Sequence, residues 1–136
     1  MLYRYTRKPE YSAAAKRVSD YFIEQIKDDF VPAWDFRAPG REVKDTSAGA
    51  IAACGMLELS QLADAGEYYK NAAIKILSAL TKNYSNLNND NEAILNGATA
   101  NKAAEENVEV GLIYADYYYT EAVRRLCLNR FDLPWE

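Results

Sequence analysis

Residues 45–59 read DTSAGAIAACGMLEL, and how this stretch is read decides the fold. Ala48, Gly49, Ala50, Ala52, Ala53 and Gly55 crowd into it beside Ile51, Met56, Leu57 and Leu59. Each glycine in a helix interior costs about 1 kcal/mol relative to alanine, so a helix here must recover that cost by packing. The apolar residues point in nearly every direction around a helix axis, which marks a buried helix whose small side chains admit close neighbours. Asp45, Thr46 and Ser47 supply short oxygens able to accept from orphan N–H groups at its start, giving a helix over 46–62 with Asp45 as its cap.

Outward from this helix, Tyr11, Ala14, Ala15, Val18, Phe22 and Ile26 recur at three- and four-residue steps after Pro9, predicting an amphipathic helix that ends between Asp28 and Phe30. Downstream, Tyr69, Ala72, Ala73, Ile76, Leu77 and Leu80 predict a helix over 67–84. The two patterns are in register 58 residues apart, Tyr11 matching Tyr69 and Val18 matching Ile76, as stacked helical hairpins repeat. Residues 31–44, VPAWDFRAPGREVK, are too long for a tight turn and carry aromatics, as the wall or lid of a cleft does. A short helical turn is expected over 91–95, then a loop. A last helix is expected over 113–129, with Tyr114, Tyr117 and Tyr118 as its core stripe or, as the alternative, with its tyrosines and Asp116 as a polar-aromatic wall suited to sugar rings, and the tail Phe131, Leu133 and Trp135 packs on a neighbour. No segment alternates as a strand does, so the fold is all-α, about five helices in one domain over residues 1–136.

The net charge of −4, without any Lys/Arg-rich run, excludes the electrostatic footprint of a nucleic-acid binder. Apolar runs fall short of the ~20 residues of a membrane span, and the first residues carry no signal-peptide pattern, pointing to a cytoplasmic or periplasmic chain. Histidine is absent, which removes Ser-His and Cys-His catalysis and histidine metal sites. Cys54 and Cys127 lie in apolar helical patterns and read as buried thiols. No metal or cofactor is expected. Asp35 and Asp45, ten residues apart, are the carboxylates a glycosidase pair would need. A helix cap for Asp45 and a loop acceptor for Asp35 are the simpler roles.

Together, YRYTRKPEY (3–11), VPAWDFRAP (31–39), DTSAGAIAACGMLEL (45–59), EYYKNAAIKILSAL (67–80) and LIYADYYYTEAVRRL (112–126) resemble the C-terminal portion of the unsaturated glucuronyl hydrolases, glycoside hydrolase family 88. Unsaturated rhamnogalacturonyl hydrolases are related, but IAACGMLEL followed by YADYYYTEA is closer to the glucuronyl group. The resemblance implies an α/α toroid of helical hairpins, here in part. It also implies hydration of the 4,5 double bond of the unsaturated uronic acid that polysaccharide lyases leave on an oligosaccharide. The family's catalytic aspartates precede the matching segment, so no catalytic residue is carried over. Trp34 and Asp35 match a loop on the cleft side, and NGATANK (96–102) matches a loop that reaches the adjoining sugar, which makes Thr99, Asn101 and Lys102 substrate-contact candidates. Asn96 stands where the family commonly has histidine, and Arg37 is unusual beside the Trp-Asp-Phe triplet. The alternative reading is a non-catalytic helical-repeat module for a partner or a carbohydrate. Either reading leaves hairpin faces uncovered, predicting a homo-oligomer.

Overall fold

The computed structural model describes residues 2–62, 64–87 and 92–129. It contains α1 (Leu2–Thr6), α2 (Pro9–Gln25), α3 (Thr46–Ser60), α4 (Gly66–Tyr84), a 3-10 turn (Lys102–Ala104) and α5 (Ile113–Leu128). Among the described residues there is no strand, only isolated antiparallel bridges such as Ala33 with Lys44 and Ser85 with Leu95.

The hub is α3. It packs broadly on α4 and α5 and only lightly on α2, while α4 in turn touches α5 lightly. Ala50, Ala53, Met56 and Leu57 of α3 meet Ala73, Ile76, Leu77 and Leu80 of α4 and Ala122 of α5 in one core. Gly49 allows the closest approach: a Cβ there would stand 3.2 Å from Pro32 Cδ and 3.5 Å from Leu80 Cδ1. The expected stripe of α4 is buried at every position, Tyr69, Ala72, Ala73, Ile76, Leu77 and Leu80. Its Tyr69 hydroxyl donates to Asp20 Oδ1 of α2 at 3.0 Å, and burial, reinforced by Asp20, pushes that phenol up to about 12.

Several expectations need correction. The helix after Pro9 ends at Gln25 instead of running to 28–30, and a separate short helix, α1, precedes it. Residues 92–95 form no helical turn, because Leu95 bridges Ser85 in extended backbone; Asn91 lies outside the described residues, as does the tail carrying Phe131, Leu133 and Trp135. The core stripe of α5 is Ala115, Tyr119 and Ala122, with Tyr119 bonded through its hydroxyl to Thr81 Oγ1 at 2.7 Å; Tyr114 and Tyr117 are exposed and Tyr118 half-buried. Tyr119 wins because its hydroxyl finds a partner on α4, as a buried tyrosine requires. Cys54 is buried but Cys127 is exposed.

The helix α3 is also less enclosed than its composition suggests: Ile51 is 43% exposed, and Gly55 is open. On the facing helix the predicted apolar stripe is covered only at its C-terminal end: no residue of α2 is fully buried and Val18 is 68% exposed, whereas Phe22 packs against the core and Ile26, just past α2, is buried in it.

Candidate functional site

Both long connections meet at the N-terminal end of α3. Asp45 organises them: its Oδ1 accepts from Ser47 N–H at 3.0 Å, Ser47 Oγ at 2.6 Å and Thr99 N–H at 3.2 Å, so one carboxylate caps α3 and holds the second loop. The 31–44 loop is sewn to the same point by Asp45 N–H to the Pro32 carbonyl and Trp34 N–H to the Val43 carbonyl, each 3.0 Å. The second loop adds Thr46 N–H to the Gly97 carbonyl at 3.0 Å, and Thr46 Oγ1 to the Asn96 carbonyl at 2.8 Å. Gly97 has φ +76°, a left-handed backbone that glycine adopts freely, and any Cβ there would run into Tyr84. Asp116 of α5 closes the arrangement, accepting from Ile94 and Leu95 N–H at 3.1 and 2.9 Å.

The structure therefore brings Trp34, Asp35, Thr99, Asn101 and Lys102 onto two loops joined at one helix end. Asp35 is exposed and accepts from Arg37 N–H at 2.7 Å; Trp34 is half-buried. Thr99 is buried, donating to the Lys44 carbonyl at 2.7 Å and accepting from Glu109 N–H at 3.1 Å. Asn101 caps the 3-10 turn through Ala104 N–H at 3.2 Å, and Lys102 Nζ pairs with Glu105 at 2.7 Å. Asp45 is engaged as a cap, as its position predicts. No group of metal-binding side chains occurs among the described residues. No described helix is long and apolar enough to cross a membrane.

A separate concavity lies elsewhere: a trough of about 460 Å³ between α2, α3 and α5, lined by Val18, Phe22, Ile51, Gly55, Tyr117 and Tyr118 among others. Its far end adjoins the first loop, because Phe22 meets Phe36 of the Trp-Asp-Phe triplet edge to face at 5.5 Å. Its polar side is a buried ionic cluster that the sequence patterns did not reveal. Arg125 of α5 donates to Glu121 at 2.7 Å and to Glu58 of α3 at 3.1 Å, and Arg4 of α1 stands 3.1 Å from Glu58. Burial pushes the neighbouring Cys54 thiol up to about 11, with Arg125 opposing and Glu121 and Glu58 adding to the shift. The sequence signals of this cluster are local and slight: Glu58 among the apolar residues of α3, and the i,i+4 spacing of Glu121 and Arg125 on α5.

The architecture is that of a class, the α/α toroids built from stacked helical hairpins, of which this chain forms part. No protein-family model matches it. In particular, it matches the C-terminal portion of the unsaturated glucuronyl hydrolases. It is 31% identical over 131 residues to the unsaturated glucuronyl hydrolase of Formosa agariphila, covering 92% of this chain and 32% of the relative. The crystal structure of the Bacillus sp. GL1 unsaturated glucuronyl hydrolase, responsible for the degradation of glycosaminoglycan, superposes with TM-score 0.84 at 30% identity, over 91% of this chain and 35% of that one. A Streptococcus agalactiae unsaturated glucuronyl hydrolase mutant complexed with dGlcA-GalNAc6S superposes with TM-score 0.79 at 30% identity, covering 90% of this chain and 34% of that one. The chain thus spans about a third of the length of the relatives it matches.

Proposed function

We propose that the chain is the C-terminal part of a toroidal glycosidase acting on unsaturated uronyl oligosaccharides released by polysaccharide lyases, and that it is inactive alone. The observation that carries this reading is the joining of the Trp34 and Thr99 loops at one end of α3, within a chain similar to these hydrolases over nearly its whole length. Trp34 offers an aromatic face and Asp35, Asn101 and Lys102 offer polar groups to a sugar at that end; Thr99 acts through the loop it pins. The general acid and base of the hydration come from carboxylates outside this chain, as the resemblance implies, while Asp45 and Asp116 within it are engaged with backbone N–H groups. On its own the chain associates with copies of itself through the open face of α2, which leaves Tyr11, Val18 and Tyr21 exposed.

Incubating the chain with a Δ4,5-unsaturated uronyl disaccharide and following loss of the unsaturated chromophore tests the reading. No turnover is expected. Turnover that Asp35→Asn or Asp45→Asn abolishes would overturn it. A strictly monomeric mass by light scattering at high micromolar concentration would contradict the self-association.

A further inference from the structure

Glycine at position 97 is imposed by the fold. Its φ is +76°, and a Cβ there would run into Tyr84 and press on Thr46, so any side chain is strained on two counts. That constraint creates a chemical liability one residue upstream. Asn96 is the only asparagine of the sequence followed by glycine, and a glycine nitrogen, unshielded by a side chain of its own, reaches a preceding amide carbon more readily than other backbone nitrogens do. Attack of Gly97 N on Asn96 Cγ forms the N–Cγ bond of a succinimide; the Cγ–Nδ2 bond breaks, and ammonia leaves with the proton lost from Gly97 N. Water then opens the ring, its hydroxyl going to one carbonyl carbon and its proton returning to the nitrogen, which leaves aspartate or isoaspartate.

A side-chain pair opposes this ring closure. Asn96 Nδ2 donates to Asn86 Oδ1 at 2.9 Å, and Asn86 Nδ2 donates in turn to the Ala93 carbonyl at 3.1 Å, so the Asn96 amide is committed across the bridge between Ser85 and Leu95. Asn86 is itself buried, and its N–H bonds to the Ile94 carbonyl at 2.8 Å, which gives the pair a fixed base. Asn96 Oδ1 lies on the Gly111 side, 3.7 Å from where a Cβ of that glycine would stand. The peptide is pinned as well: Asn96 N–H donates to the Tyr84 carbonyl at 2.9 Å, and Thr46 donates to both carbonyls of the dipeptide. To close the ring, the Asn96 side chain must leave Asn86 and swing onto Gly97 N against that anchored backbone.

We propose that Asn96–Gly97 is a self-modification site in the 96–102 loop, held unreacted by the Asn86 side chain and opened when that pair parts. Isoaspartate would carry the chain through the former side-chain carbons, so the two carbonyls that Thr46 now holds could not both stay in place, and Thr99 would lose its seat on Asp45. Aspartate would face Asn86 Oδ1 with a carboxylate in place of a donor. The cost to sugar contact rests on the glycosidase reading; the chemistry does not.

Ageing the 136-residue chain in mildly alkaline buffer and mapping its peptides by mass spectrometry tests this, since each event adds one mass unit at Asn96. The folded chain should react there many times more slowly than the same chain in urea. Asn86→Ala should speed the folded reaction several-fold to about tenfold, the rate change that one net hydrogen bond carries. Asn86→Asp retains an acceptor for Asn96 Nδ2 and should react clearly more slowly than Asn86→Ala. Hydrogen exchange through α3 and α4 should stay unchanged in both variants. The modified fraction, separated by its added negative charge, should exchange the Thr46 and Thr99 amides faster than the unmodified chain. Equal rates folded and in urea, or no acceleration in Asn86→Ala, would overturn the proposal. Acceleration matched by faster exchange through α3 and α4 would trace it to global unfolding and overturn it too, and unchanged exchange at Thr46 and Thr99 would overturn the release of the loop. None of these readouts involves a sugar, so their failure and the failure of the glycosidase reading are distinct.

Discussion

Gly49 and Gly55 are the same residue in the same helix with opposite physical situations. At Gly49 an added methyl would crowd the fully buried Pro32, whereas at Gly55 it would meet open space. Gly55→Ala should therefore stabilise the isolated chain by about 0.5–1 kcal/mol from helix propensity, and Gly49→Ala should gain less or lose; thermal unfolding of the two variants checks the difference. Asp45→Ala removes both the cap of α3 and the acceptor for Thr99, and should cost about 2 kcal/mol in urea unfolding, with Asp45→Asn costing clearly less because one oxygen remains. The cap was legible in the sequence because its chemistry is local, one oxygen and N–H groups two residues on. The openness at Gly55 was not, because whether a helical glycine is covered depends on neighbours outside the 45–59 stretch. Thr99 was legible as important through the loop resemblance, but its hydroxyl bonds to Lys44 and Glu109 lie 55 and ten residues away and leave no local pattern.

At the scale of elements, α4 was readable to the residue because its apolar positions form a single stripe that one neighbour buries. In α5, four tyrosines crowd into six residues and each suits a core rim, so the register is decided by where Thr81 sits. With only five residues, α1 is too short to show a period, and it is tied to α3 by the ion pair of Arg4 with Glu58. The α3–α5 contact depends on a buried charge network, and Arg125→Met should cost about 3 kcal/mol, since it leaves Glu58 and Glu121 to the more exposed Arg4 and Arg124 among the described residues. Cys54 gives this contact a pH signature. Its folded pKa, about 11, lies above that of an unfolded thiol, so the unfolded chain sheds a proton first and stability falls as pH rises from about 9 to about 11. Cys54→Ala should flatten that decline in pH-dependent urea unfolding. A thiol reagent at neutral pH should modify the exposed Cys127 rapidly and reach Cys54 only on unfolding.

The described part of the molecule is asymmetric as a whole. The core centres on α3 with α4 and α5 and takes in Phe22, Ile23 and Ile26 at the C-terminal end of α2, whose earlier turns flank α3 across an open trough. Nearly all of this arrangement follows from hydrophobic period and turn chemistry, because hairpins repeat locally; the openness of the α2 side does not, because a stripe of apolar residues shows a face without showing whether anything covers it. Amide hydrogen exchange on the isolated chain at low concentration measures that asymmetry directly, since protection follows burial and local stability. Slow exchange is expected through α3 and α4, with exchange in α2 faster by orders of magnitude, most of all in its first turns around Tyr11 to Val18. Protection of α2 equal to that of α3 in a monomeric chain would contradict it.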